Sequence, residues 1–124
     1  MSTVLIVEDN DKNMKLARDV LQAKGYQTLE AVTGEEGVTL AKERKPDLVL
    51  MDIQLPGING IEAFKQIRAD AGTAHIPVVA LTASVTPTDR SAINAAGFDA
   101  FVGKPINLKE FLETVKRLID GAAK

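Results

Sequence analysis

The chain has 124 residues, of which 45% are hydrophobic and 26% charged, a composition typical of one soluble globular domain. No apolar run approaches the length of a membrane span, and the first residues lack the basic segment of a signal peptide. The absence of cysteine excludes disulfide and thiolate chemistry and is compatible with the cytoplasm, where we expect the protein to act. The net charge of −2, with basic residues scattered among acids, argues against a nucleic-acid-binding surface.

Apolar runs and helical patterns alternate along the whole chain. A continuous aliphatic run predicts a strand covered on both faces, and apolar residues spaced three and four apart predict a helix. In chain order the predicted elements are a strand at Val4–Val7, a helix at Lys12–Lys24, a weaker strand at Gln27–Ala31, a helix from Thr33 to Glu43, a strand at Leu48–Met51, a helix around Ile61–Arg68, a strand at Val78–Leu81, a helix opening at Thr86-Pro87, a weaker strand at Ala100–Val102 and a helix from Asn107 through Ile119.

Capping residues mark the ends of several of these helices. Thr33 and Glu36 have the spacing of a capping box, and Asn107 suits the N-cap of the last helix. Gly25 supplies a C-terminal stop for the first helix, and Pro46 bars continuation of the second.

The order of the elements is therefore strand then helix, five times. Right-handed crossovers favour an α/β fold with one open, five-stranded parallel sheet, doubly wound so that helices cover both faces. The two weaker strands are expected at the edges. Ligands in such folds bind beyond the carboxyl ends of the strands.

Chemically active side chains follow four of the five predicted strands. They are Glu8 and Asp9 after the first strand, Asp52 after the third, Thr82 after the fourth and Lys104 after the fifth. If the strands are parallel, three carboxylates, one hydroxyl and one ammonium meet at one edge of the sheet. Neighbouring carboxylates repel one another, and oxygen ligands of this kind suit Mg²⁺. A carboxylate can also act as a nucleophile toward phosphorus.

Taken singly, each of these residues also suits an ordinary structural role. Glu8 and Asp9 could be loop acids at a helix N-terminus, and Asp52 could bond to the loop that follows it. A hydroxyl at the end of a strand, such as that of Thr82, more often forms a turn, and a lysine such as Lys104 is usually solvated. Their joint occurrence, each at a strand end, favours a pocket for phosphoryl transfer.

At these positions the sequence resembles the receiver domains of bacterial two-component response regulators. The motifs are VLIVEDN, LVLMDIQLPGINGIE, VVALTA and FVGKPI, and the resemblance covers essentially the whole chain. It is strongest to single-domain receivers of the DivK type, through EDNDKNMKL and HIPVVALTA, while CheY is a more distant relative. The resemblance implies a flavodoxin/CheY-like fold, with residues 1–124 forming one receiver domain and no output domain.

The resemblance also implies roles for individual residues. Asp52 matches the aspartate that accepts the phosphoryl group. Asp9 and Asp52 match direct ligands of Mg²⁺, Glu8 matches a ligand acting through water, and the backbone carbonyl of Gln54 matches the third protein ligand.

Three further positions match residues that respond to the phosphoryl group. Thr82 and Lys104 match the residues that bind its oxygens. Phe101 matches the aromatic switch position, which is often tyrosine in relatives. Phe101 has no hydroxyl, so a hydrogen bond made by such a tyrosine is not available to it.

These roles imply a signalling switch rather than an enzyme, catalysing only its own phosphorylation and dephosphorylation. The expected partners are a sensor histidine kinase or a histidine phosphotransfer protein, and a downstream protein target. The resemblance also allows a homodimer through the fourth helix, fifth strand and fifth helix. We expect no nucleic-acid or membrane partner. The alternatives are a relay intermediate, a phosphate sink or, more remotely, a small Mg²⁺-dependent phosphatase. A phosphatase would need a second acid where Gln54 stands.

Overall fold

Strands and helices alternate strictly in the computed structural model, which describes residues 2–55, 57–82, 87–103 and 107–122. The elements are β1 (Thr3–Val7), α1 (Asp11–Ala23), β2 (Gln27–Ala31), α2 (Gly34–Arg44), β3 (Leu48–Asp52), α3 (Gly60–Ala69), β4 (Val78–Thr82), α4 (Pro87–Ala96), β5 (Ala100–Gly103) and α5 (Leu108–Ala122). Each predicted element is present, with boundaries within a few residues of those expected.

The strands form one parallel sheet in the order β2-β1-β3-β4-β5. The predicted α/β fold is therefore confirmed, as is the prediction that the two weaker strands lie at the edges. The strand order reverses direction between β1 and β3, which places the topological switch point there. The carboxyl ends of β1 and β3 are consequently neighbours.

Two apolar clusters fill the space between the sheet and its helices. Alternate residues of β1 point to opposite faces, because successive side chains of a strand do so. Val4 and Ile6 pack with α1 and α5, whereas Leu5 and Val7 pack with α2 and α3. The sheet is thus covered on both sides, which explains why its central strands are continuous apolar runs.

The first two helices begin at polar N-caps. The Asn10 side chain accepts hydrogen bonds from the backbone N–H groups of Lys12 and Asn13, at 3.0 and 3.1 Å. Thr33 Oγ1 accepts from the Glu36 N–H at 3.1 Å, as the predicted capping box requires. The return bond differs from a standard capping box, since Glu36 Oε1 accepts from Val32 N rather than from the cap residue.

Asparagine caps two of the remaining helices. Asn59 accepts from the Glu62 N–H at 2.9 Å, so the Asn59-Gly60 pair opens α3 directly. Asn107 accepts from the Glu110 N–H at 3.1 Å, which confirms its prediction as a cap. α4 starts at Pro87, as expected, and its predicted cap Thr86 lies outside the described residues.

Arg68 joins three parts of the fold at the amino ends of the strands, opposite their carboxyl ends. Its guanidinium donates to two carbonyls of the α3–β4 loop and pairs with Asp99, which also accepts from the Val78 N–H at 2.8 Å. The same guanidinium lies 4.8 Å from the ring centroid of Phe64, which stacks on Phe98. These contacts fix the end of α3 against the starts of β4 and β5.

Among the described ranges, none of the helices is both long and apolar enough to cross a membrane.

Candidate functional site

The two acids that follow β1 differ in their surroundings. The Glu8 N–H donates to the carbonyl of Ala31 at 3.0 Å, which extends the pairing of β1 with β2 by one residue. Glu8 is only 1% exposed, and its Oε2 accepts from the Asn10 N–H at 3.3 Å. Asp9 is exposed. The cap at Asn10 then starts α1, so both acids are held between a strand end and a helix N-terminus.

Asp52 is the last residue of β3, on the strand next to β1. It is 3% exposed and pairs in register with Leu81 of β4. Its Oδ1 accepts a hydrogen bond from the Gln54 N–H at 2.9 Å, which turns the chain away from the sheet. The acid is therefore buried at the carboxyl end of β3, next to the first residues of the loop between β3 and α3.

The three acids converge on one point at the carboxyl edge. One carboxylate oxygen from each of Glu8, Asp9 and Asp52 lies within 4.8 Å of the other two. Three like charges at such distances repel, and a hard divalent cation relieves that repulsion. The oxygen-only donor set, with one exposed member, fits Mg²⁺, which keeps several of its waters.

Thr82 lies on the other side of Asp52, at the end of β4. It is 1% exposed, and the neighbouring strands are held together by a hydrogen bond from Ile53 N to the Leu81 carbonyl, at 3.0 Å. An open cavity of about 340 Å³ lies next to it, lined by Gln54, Thr82 and Ile93 among others. A substrate group could therefore approach the strand ends between the β3–α3 loop and α4.

Of the remaining predicted site residues, Phe101 lies on β5, Lys104 follows β5 in the sequence, and Gln54 lies between β3 and α3. Phe101 is half-buried and pairs in register with Ala80 of β4, two residues before Thr82. Lys104 falls outside the described residues, so its placement near the acids stays a prediction. The side chain of Gln54 is exposed.

Gly60 is a site residue that sequence reasoning missed. A Cβ built on it would lie 2.1 Å from the Asp52 carbonyl oxygen and 2.8 Å from the Ile53 Cα. Only glycine lets the first turn of α3 approach the end of β3 so closely. The one signal in the sequence is a glycine at the first helical position, where residues with better helix propensity are common.

The family model of the response regulator receiver domain matches residues 4–116. The chain belongs to the response regulator receiver family. The receiver is also 45% identical over 120 residues to the polar-differentiation response regulators DivK of Brucella anthropi and Brucella ovis, an alignment that covers 97% of this chain and 98% of each relative.

Solved structures of other receivers share its fold. A response regulator from Chloroflexus aurantiacus superposes with a TM-score of 0.91 at 31% identity, covering 96% of this chain and 98% of that one. The receiver domain of a sensor histidine kinase from Pseudomonas aeruginosa PAO1 has a TM-score of 0.90, 31% identity and the same coverage. That structure holds a magnesium ion in its active-site cleft.

Proposed function

We propose that this receiver accepts a phosphoryl group on Asp52 and that the phosphorylated form presents a changed surface to a partner protein. The observation that carries the proposal is the convergence of the Glu8, Asp9 and Asp52 carboxylates at the end of the sheet. The donor is the phosphohistidine of a sensor histidine kinase or of a histidine phosphotransfer protein, and the reaction takes place in the cytoplasm.

Asp52 is the nucleophile of the proposed reaction. One of its carboxylate oxygens attacks phosphorus, the bond from phosphorus to the histidine nitrogen breaks, and that nitrogen keeps the electron pair. Asp52 becomes an acyl phosphate. Its placement supports this role, since it is buried at the carboxyl end of β3 beside Glu8 and Asp9, and its Oδ1 is oriented by the Gln54 N–H.

The metal ligands in this proposal are Asp9 and Asp52 directly, Glu8 through water, and the backbone carbonyl of Gln54. Mg²⁺ bound there offsets negative charge on the phosphoryl oxygens. The likeness to the magnesium-containing receiver from Pseudomonas aeruginosa supports the assignment.

Two residues bind the phosphoryl oxygens in this proposal. Thr82 donates its hydroxyl hydrogen, and Lys104 supplies a positive charge. Thr82 ends the strand beside β3, with its backbone one register position beyond the Asp52–Leu81 pair, which supports the first assignment.

The switch in this proposal couples Thr82 to Phe101. When Thr82 moves toward the phosphoryl group, it vacates space that the Phe101 ring enters, and the face formed by α4, β5 and α5 changes. A cavity of about 570 Å³ beside Phe101, bounded by β5 and α5, leaves room for a partner to contact the altered surface. The same face is the one we propose for a downstream target or for a second copy of the chain. A pure relay or phosphate sink would use the acceptor without this change.

The test is labelling by acetyl phosphate, a small-molecule phosphoryl donor, followed by intact mass measurement. We expect the wild-type protein to gain one phosphoryl group in the presence of Mg²⁺ and Asp52→Ala to gain none. Asp19→Ala, which removes an exposed acid of α1, serves as the matched control and should be labelled normally. Labelling of Asp52→Ala at the wild-type rate would remove Asp52 from this role.

A further inference from the structure

A groove on the α1 and α5 side of the sheet lies apart from the acidic site. It runs from the first turns of α5 to the C-terminal end of α1 and has a volume of about 450 Å³. Its lining consists of Lys24, Tyr26, Lys109, Leu112, Glu113 and Lys116. None of these residues has a role in the proposed phosphoryl transfer, so that reaction assigns no function to the groove.

The floor of the groove is apolar. Tyr26 and Leu112 are half-buried and pack against the core cluster between the sheet and helices α1 and α5. Their outer parts line the groove, while the long side chains around them are exposed. The apolar surface is therefore recessed, which suits an inserted side chain better than a flat surface such as a membrane.

The rim of the groove is rich in hydrogen-bond donors. Lys24, Lys109 and Lys116 are exposed, and none forms an ion pair with any residue in the described ranges. Glu113 is the one acid of the lining, and Asp120 lies close enough to Tyr26 to influence its hydroxyl. Three cations that have no ion pair within the described part of a protein of net charge −2 form a local positive surface.

We propose that this groove binds an acidic peptide segment of a partner protein, with one apolar side chain on Tyr26 and Leu112 and carboxylates against the three lysines. Charge complementarity favours this occupant, because the rim offers mainly donors and the floor accepts apolar surface. A nucleic acid is a poorer fit, since the groove has few cations, contains an acid and has a single aromatic ring. The proposal does not depend on phosphorylation of Asp52.

The test uses a synthetic peptide with a single leucine between glutamates, titrated into the ¹⁵N-labelled full-length protein. We expect amide shifts concentrated at Tyr26, Leu112 and Lys116, and weaker binding when serine replaces the peptide leucine. Lys109→Glu/Lys116→Glu should weaken binding by about tenfold or more. The control Arg44→Glu/Lys65→Glu makes the same change in net charge on exposed residues of α2 and α3 and should leave binding unchanged.

Several outcomes would overturn the proposal. They are failure of the peptide to bind, equal binding of a peptide with lysines in place of the glutamates, and an equal loss in the control variant. Shifts that map to the acidic site rather than to the groove would also contradict it. Binding to phosphatidylglycerol vesicles in place of the peptide would assign the basic rim to lipid headgroups instead.

Discussion

Three side chains at the carboxyl edge have an arrangement that suits a cation site but is unfavourable for the stability of the free protein. Glu8, Asp9 and Asp52 hold their carboxylate oxygens within 4.8 Å of one another, an arrangement that repulsion disfavours without a cation. Two of the three are nearly inaccessible to water, so solvent screens that repulsion poorly. Sites of this kind lower the stability of the ligand-free protein, and a ligand that relieves the repulsion is bound more tightly for that reason.

The exposed member of the cluster gives the first prediction. Asp9→Asn removes one charge, so we expect the metal-free variant to gain up to about 1 kcal/mol in free energy of unfolding. We expect its affinity for Mg²⁺ to fall by at least about tenfold, because a charged ligand is lost. Calorimetric titration with Mg²⁺ and thermal unfolding with and without the ion measure both effects.

Asp11→Asn is the control for this prediction. Asp11 is exposed, begins α1 and lies two residues away, yet it does not belong to the acidic cluster. Its replacement should leave Mg²⁺ binding intact. Wild-type affinity for Mg²⁺ in Asp9→Asn would contradict the assignment of Asp9 as a ligand.

Tyr26 gives a second prediction at the same scale. Burial, and to a lesser extent the Asp120 carboxylate, raises the pKa of the Tyr26 hydroxyl above 10.0. The folded state therefore holds this proton more tightly than the unfolded chain. The resulting contribution to stability is complete below pH 10 and is lost as the pH rises through the folded pKa.

Absorbance measures this titration directly, because Tyr26 is the one tyrosine and the chain has no tryptophan. We expect a midpoint above pH 10 in the folded protein and a partial return toward 10 in Asp120→Asn, since burial remains. A midpoint at or below 10 in the wild type would contradict the placement of the ring.

At the scale of elements, the site depends on how closely α3 approaches the end of β3. Gly60 makes this approach possible, and Gly60→Ala would place a methyl group against the Asp52 carbonyl oxygen. We expect the free energy of unfolding to fall by about 1–3 kcal/mol and phosphorylation to slow, since the loop holding Gln54 must shift. Urea denaturation and acetyl phosphate labelling measure the two effects.

Gly121→Ala provides the comparison within α5. A Cβ there would meet no atom within 4 Å, and alanine has the better helix propensity, so stability should be unchanged or slightly higher. If Gly60→Ala were as stable and as rapidly phosphorylated as the wild type, the close approach would have no functional importance.

Local patterns predicted the elements, but they could not predict the contacts between distant segments. Periodicity and polar caps were sufficient for α2 and α5, because a cap acts on the helix that it begins. The acids of the site could also be predicted to meet, since parallel strands end at one edge. Gly60 could not be placed in this way, because its closeness to Asp52 depends on how the loop folds back.

At the scale of the whole molecule, the edge of the sheet at the carboxyl ends of the strands and the edge at their amino ends carry different kinds of side-chain contact. The carboxyl edge gathers like charges around Asp52, while the opposite edge is held by Arg68, its pairing with Asp99 and the stack of Phe64 on Phe98. Arg68 and Asp99 are far apart in sequence, and periodicity alone assigned Arg68 to a helix face. Their pairing follows only from the assembled fold.

In the proposed reaction the Asp52 carboxylate becomes an acyl phosphate. Borohydride reduction of the protein after reaction with acetyl phosphate and Mg²⁺ converts a phosphorylated aspartate to homoserine, and peptide mass spectrometry then locates that residue. We expect homoserine at position 52, with none formed when EDTA removes the metal. Homoserine at Asp9 instead, or a phosphorylated protein with unmodified Asp52, would contradict this expectation.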